Sequence, residues 1–344
     1  MQLLNKLLYA ALLLLGVIVV VFALFQLLGD PVQQIAGQSG DQKTIDNIRK
    51  SLHLDQPKYK QLLLLINDVS PFSIYDSSEI AEKEIRGFII GNEKKFVIKL
   101  PYFGKSYQSK KDVGTLLFKS LPATFILACT AMLLASFIGI LLGVISAVYK
   151  GTKIDTISII ISNIGISAPS FFIAILISYF FGIVFHQYTH LDCIGSLYDI
   201  NEVTGEKYIA LHHLVLPAIT LGIRPLSIIF QLTRASMLDV LSKDYIRTAY
   251  AKGLSKTKVI FHHALINALS PVLISITGWF AELLAGSFFV EYIFGWNGLG
   301  KITVDALGKL DYPVVIGAVL ISAFMFDCIQ FLSDYLIRKF NPMI

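Results

Sequence analysis

Charge is scarce in this chain. Only 15% of its 344 residues are charged while 55% are hydrophobic, and the mean hydropathy is +0.66. That balance excludes an ordinary soluble domain. Cysteine is scarcer still: Cys129, Cys193 and Cys328 are odd in number and far apart, so they offer neither a disulfide framework nor a zinc site. No repeat with a period of about 20 to 50 residues recurs. The lack of paired inverted repeats counts against a self-sufficient, ion-coupled secondary transporter. No Ser/His or paired-Asp arrangement has the spacing an intramembrane enzyme would need.

What the chain does have is apolar length. Some 20 apolar residues cross a bilayer core, and six segments qualify: 7–28, 122–149, 157–186, 214–237, 270–290 and 313–337. Each must be helical, because hydrocarbon offers no partners to the backbone. The first reads as a retained span, since its apolar run outlasts a signal peptide and FALFQLLGDP has no small-x-small cleavage site. Pro169 in the third span, and Pro217 and Pro225 in the fourth, are sites of bending, either static or part of a moving pathway.

Orientation follows from the short loops. Lys6, the Lys150 and Lys153 turn, Arg338 and Lys339 fall on one side with a strongly basic loop; the 187–211 loop carries Asp192, Asp199, Glu202 and Glu206 against Lys207. The basic side is cytoplasmic, with both termini. The net charge of +5 therefore speaks for topology and not for nucleic acid.

The basic loop is the most informative segment. Arg234, Lys243, Arg247, Lys252, Lys256 and Lys258 stand against only Asp239 and Asp244. Residues 245–252 read as a short helix stopped by Gly253, which accepts the left-handed conformation. Ser255 suits the N-cap of a second helix through Val259 and Leu265. A helix-turn-helix module facing the cytosol is suited to docking on another protein.

Between the first two spans lies a long extracytoplasmic region. TIDNIRKSLHL places Ile45, Ile48, Leu52 and Leu54 near one helix face, and residues 55–57 break that helix. FVIKLPYFG then reads as a short strand and a turn; whether this region packs or stays flexible is open.

Two motifs mislead. GWNGLGK, 295–301, approximates a phosphate loop, but Ile302 replaces the hydroxyl residue, no strand precedes it, and it lies on the outer side. It reads as a turn. Adjacent His262 and His263 point apart on a helix and do not form a metal pair. Arg224, Glu282 and Asp327 are ionisable groups inside spans, costly there unless paired or wet. Counted from the outer ends of the spans they lie roughly 15, 12 and 21 Å deep, so Arg224 and Glu282 are expected to pair.

TRASMLDVLSKDYIRTAYAKGLSKTKVIFHHALINALSPVL resembles the loop of the DppB/OppB-type permeases, the peptide and nickel branch of the ABC importers. GDPV from Gly29, HLDQPKYKQ, LPATFILA, HLVLPAITLG, GSFFVEYIFGWNGLG, DYPVVIGAVL and the terminal FNP extend the likeness over almost the whole chain. The resemblance implies an all-α membrane protein of the type I importer permease fold with about six transmembrane helices, an N-terminal helix at 1–28, an extracytoplasmic region at 29–121 and a five-helix core at 122–344. It implies that the loop at 238–269 holds the EAA motif, whose coupling helix sits in a cleft of the cytoplasmic ATPase. The residues so implicated are Asp244, Tyr245, Arg247, Thr248, Ala249, Ala251, Lys252, Gly253, Leu254 and Ser255. Arg247 and Thr248 depart from the motif's Glu and Ala, and Leu265-Ile266 replaces its Leu-Pro. The 69–98 stretch looks like an insertion.

The implied partners are a second, non-identical permease subunit of the DppC/OppC type, two ATPase subunits or domains, an extracytoplasmic substrate-binding protein and the bilayer of the bacterial inner membrane, with no nucleic acid, cofactor or metal. Nothing in the chain would be catalytic. Di- or oligopeptides are the expected cargo, with nickel or another small solute as the alternative. The alternative to pairing of Arg224 with Glu282 is that each meets the second permease.

Overall fold

The computed structural model describes residues 2–28, 31–36, 41–92, 94–200 and 205–340. Gly29 and Asp30 of the GDPV match, Glu202 and the terminal Asn341-Pro342 lie outside them. The chain forms two compact units, one of Met1–Leu121 with Ile302–Phe324 and one of Pro122–Lys301 with Met325–Ile344. The 302–324 segment thus groups with the N-terminal region.

The first unit starts with α1 (Gln2–Leu28), α2 (Pro31–Ala36) and α3 (Gln42–Ser51). The expected amphipathic helix is α3, capped where Asp41 accepts the Thr44 N–H at 3.0 Å. After the break at 55–57 the chain re-enters a helix, α4 (Lys58–Val69), which the sequence reading did not anticipate.

The described residues of 69–98 form a small sheet with one helix. Strands β1 (Phe72–Asp76), β2 (Gly87–Ile90) and β3 (Lys94–Lys99) form an antiparallel sheet in the order β1-β3-β2, with α5 (Ser77–Glu82) between β1 and β2. Alternation along the strands divides the faces. Tyr75 and Val97 point to a small core with Ile85. Asp68 accepts Lys83 Nζ at 2.6 Å and the Tyr75 hydroxyl at 2.8 Å. Phe72, Ile74, Phe88, Ile90, Phe96 and Ile98 share the other face, in register, and are exposed.

Helix α6 (Val113–Val148) begins nine residues before the expected 122, because the Asp112 carboxylate accepts the Thr115 N–H at 2.7 Å and caps it there. The third expected span is not one rod. It is α7 (Lys153–Ser167) and α8 (Ser170–Val184), bent by 109°. The cause is Pro169, which forces Ala168 out of the helical region to ψ 131°. Pro217 and Pro225, in contrast, lie within α10 (His212–Leu241) without ending it. Before α10 come α9 (His186–Thr189) and the hairpin β4 (Tyr198–Ile200) and β5 (Lys207–Ile209).

After α11 (Asp244–Ala251) the chain runs as one helix, α12 (Lys256–Gly286), whose segment Val259–Leu265 is wound as a π-helix. The second helix of the basic module and the fifth span are therefore continuous, a correction to the two separate elements expected. Then follow α13 (Phe288–Ile293), α14 (Leu299–Gly308) and α15 (Tyr312–Phe340). Among the described residues, five single helices and the bent pair are long and apolar enough to cross a membrane.

Alanine dominates where α6 meets α10: Ala128, Ala131, Ala135 and Ala218 are fully buried with Leu127, Ile229 and Trp296. Small side chains let helix backbones approach, which replaces the hydrophobic drive that lipid cannot supply.

Candidate coupling surface

Eight residues are too few to hold a helix alone in water, so α11 depends on what it packs against. Ile246 and Ala249, three apart on one face, are 2% and 6% exposed among Val144, Met237, Val240, Val259 and Ala264. The helix ends as expected at Gly253, with φ at +79°. Its N–H donates to the Tyr250 carbonyl at 2.9 Å and that of Leu254 to Ala249 at 3.4 Å, the paired bonds of a Schellman end. Leu254 turns back onto the same cluster.

Ser255 occupies the N-cap position of α12 with extended backbone, yet its hydroxyl makes no cap bond. Of the ten residues expected to couple, Asp244, Tyr245, Arg247, Thr248, Ala251, Lys252, Gly253 and Ser255 are exposed, while Ala249 is buried and Leu254 half-buried. Those two anchor the helix. Tyr250, which the sequence reading passed over, is 43% exposed on the free face. Asp244 and Arg247 approach to 3.4 Å, but both lie so open to water that the pair is loose.

A second feature was missed altogether. Arg234, read only as one of the loop's positive charges, grips Asp155 with two parallel bonds, Nε to Oδ1 at 2.6 Å and Nη2 to Oδ2 at 2.8 Å. Ser146 Oγ at 2.5 Å and the Gly151 N–H at 2.9 Å complete the shell of a carboxylate only 3% exposed. The end of α6, the start of α7 and the α11 end of α10 meet at this one group. The signal was in the sequence, an Asp in the first turn of a helix just after a Gly-Thr turn.

The false phosphate loop is explained by a buried acid. Glu291 is fully buried and accepts the Gly300 and Lys301 N–H groups at 2.7 and 3.3 Å and Ser287 Oγ at 2.6 Å. The backbone donors that might cradle a phosphate already hold a carboxylate. Burial pushes its pKa up, against the pull of these donors. Helix α13 precedes the turn, as its reading as a plain turn required.

The expected Arg224–Glu282 pair is not formed within this chain. The Arg224 guanidinium stands 5.5 Å from the centre of the Trp279 ring, one turn before Glu282 on α12. Depth counting found the right helix but not the right side chain, because it carries no rotational information. Both charged residues are exposed, and Asp327 is half-buried with Oδ2 lacking a hydrogen-bond partner among the described residues.

Comparison with known proteins agrees with this architecture. Residues 139–344 match the family model for the binding-protein-dependent transport system inner membrane component, and residues 1–128 match the model of its N-terminal region. The di/tripeptide transport system permease protein DppB of Pseudomonas aeruginosa (strain UCBPP-PA14) is 34% identical across 96% of this chain and 94% of its own. The glutathione transport system permease protein GsiC of Escherichia coli (strain K12) is 33% identical across 95% and 92%. The inward-facing MetNI methionine ABC transporter superposes with a TM-score of 0.52 at 18% identity, covering 66% of this chain and 96% of that one, a likeness of fold alone. The chain belongs to the family of binding-protein-dependent transport system inner membrane components, as a permease of an ABC importer.

Proposed function

We propose that this permease carries di- or oligopeptides inward, with α11 as the element through which cytoplasmic ATPase subunits drive it. One observation carries the coupling role: α11 is fastened by Ile246, Ala249 and the Gly253 turn while Tyr245, Arg247, Thr248 and Tyr250 are exposed. A helix rigid on one side and bare on the other transmits displacement. The loop faces the cytosol with both termini, by its excess of lysine and arginine. An extracytoplasmic binding protein delivers the cargo. Peptide cargo is supported by the names of the relatives, a di/tripeptide and a glutathione permease.

A second, non-identical permease subunit completes the pathway. Arg224 and Glu282 are exposed on helices long and apolar enough to span, where lipid contact would be costly. They suit a protein neighbour or the wet path. The insertion at 69–98, with its exposed apolar sheet face, suits contact with the binding protein; such faces on folded domains commonly mark interaction sites.

Gly253→Val tests the coupling role. A β-branched residue at positive φ costs about 1 to 2 kcal/mol and misplaces α11, so peptide-stimulated ATP hydrolysis and uptake should fall while membrane insertion survives. Normal coupling would refute the assignment. Uptake of labelled dipeptide, tripeptide, glutathione and Ni²⁺ by cells with and without the chain decides the cargo; loss of Ni²⁺ uptake alone would remove the peptide reading.

A further inference from the structure

At the end of α10 remote from α11, three metal-ligating side chains converge. Asp192 Oδ2 lies 3.1 Å from His213 Nε2 and 3.3 Å from His212 Nε2, and the three ligand atoms fall within 4.8 Å of one another. Neighbouring histidines inside a helix diverge, but these stand at its first two positions, and their ring centres are 4.0 Å apart.

The protonation pattern needs a cation. His213 Nδ1 is 3.0 Å from the Ser196 carbonyl, which can only accept, so its hydrogen sits on Nδ1 and the lone pair on Nε2. That lone pair then faces a carboxylate oxygen. Either a second proton or a metal ion must lie between them. A carbonyl bonded to the far ring nitrogen is the usual means of orienting a metal-bound histidine. The spacing also fits: bonds of about 2.0 to 2.1 Å in a tetrahedron place neighbouring ligand atoms about 3.3 Å apart.

The surroundings are built for it. A Cβ on Gly195 would come within 2.5 Å of the His213 ring, so only glycine admits the imidazole against the loop. The His213 side chain is 8% exposed, whereas those of His212 and Asp192 are 43% and 44% exposed, leaving the remaining coordination positions open to water. The loop is itself held to the GWNGLGK turn and the residue before it, by the Gly195 N–H to Phe294 O at 2.9 Å and the Asn297 N–H to Ser196 Oγ at 3.3 Å.

We propose that Asp192, His212 and His213 form a binding site for a divalent transition-metal cation of the Zn²⁺ class, which clamps the 190–197 loop to the start of α10. Two neutral imidazoles and one carboxylate suit such an ion better than Mg²⁺ or Ca²⁺, which take oxygen.

The test uses the full chain in nanodiscs, purified without a histidine tag. Zn²⁺ is titrated against a chromophoric chelator, and Co²⁺ is followed by its visible spectrum. One tight Zn²⁺ per chain is expected, with the intense bands of four-coordinate Co²⁺ and a raised melting temperature. His212→Ala and Asp192→Asn alter exposed groups and should fold; each should weaken Zn²⁺ at least tenfold and abolish the melting shift. His262→Ala should change neither. Zn²⁺ affinity indifferent to both site variants would overturn the proposal. So would an intact chain that is stabilised by acid alone and takes no Zn²⁺, since the cation would then be a proton.

Discussion

Asp155 shows how much one buried carboxylate can organise. It accepts from Arg234, Ser146 and the Gly151 backbone, so no lone pair is wasted and the buried charge is matched by a guanidinium that itself keeps some exposure. Breaking such a pair costs about 3 to 5 kcal/mol, because the surviving charge stays buried without its partner. Asp155→Asn should therefore lower the melting temperature of the detergent-solubilised chain markedly, and Arg234→Gln should do so to a similar degree. If the double variant is no worse than either single one, the two act as a unit; additive losses in a double-mutant cycle would mean that they do not.

At the scale of the element, the β1-β2-β3 region carries a pH signature. Lys99 sits under its sheet, where Nζ donates to the carbonyls of Asp68 and Ser70. Burial pulls its pKa down to about 8, partly opposed by the charge of Asp68. Between that value and the unfolded 10.5 the unfolded chain binds more protons, so the sheet gains stability as pH rises; well below pH 8 both states are protonated and this dependence vanishes. Proteinase K nicking within 72–98 should slow from pH 8 to 10 relative to a Lys99→Met variant run in parallel. Tyr75 and Tyr102, raised by burial from the ordinary tyrosine value of about 10, begin to titrate in the unfolded chain near the top of that window, and the Lys99→Met variant, which keeps both, subtracts their contribution. Equal trends in the two proteins would show that Lys99 is protonated throughout. The same sheet was only partly legible beforehand. FVIK announced β3 by its β-branched and aromatic residues, but β1 and β2 are short and stand apart, with the charged α5 segment between them, and they gain strand character only by pairing with β3.

For the whole molecule, the informative fact is what the single chain leaves bare. Arg224 leans on Trp279, an interaction worth about 0.5 to 2 kcal/mol, and Glu282 has exposed surface on α12. In the assembled importer Glu282→Gln and Arg224→Gln should reduce uptake, and a charge swap between the two should give no rescue, because they are not partners. Full rescue by the swap would restore the pairing that this chain's geometry argues against.

The sequence by itself determined the class of molecule, the number of apolar segments, the short helix before Gly253 and its glycine stop. These follow from local causes: apolar length, the lack of backbone partners in hydrocarbon, and the steric freedom of one glycine at φ +79°. The tertiary structure alone decided which face of α11 is anchored, that Asp155 takes Arg234, that Glu291 fills the false phosphate loop, and that Asp192 meets His212 and His213. Each of these depends on groups brought together from distant positions, or on how far a helix is turned about its axis. Composition and spacing along one segment fix neither; only packing against a second element does.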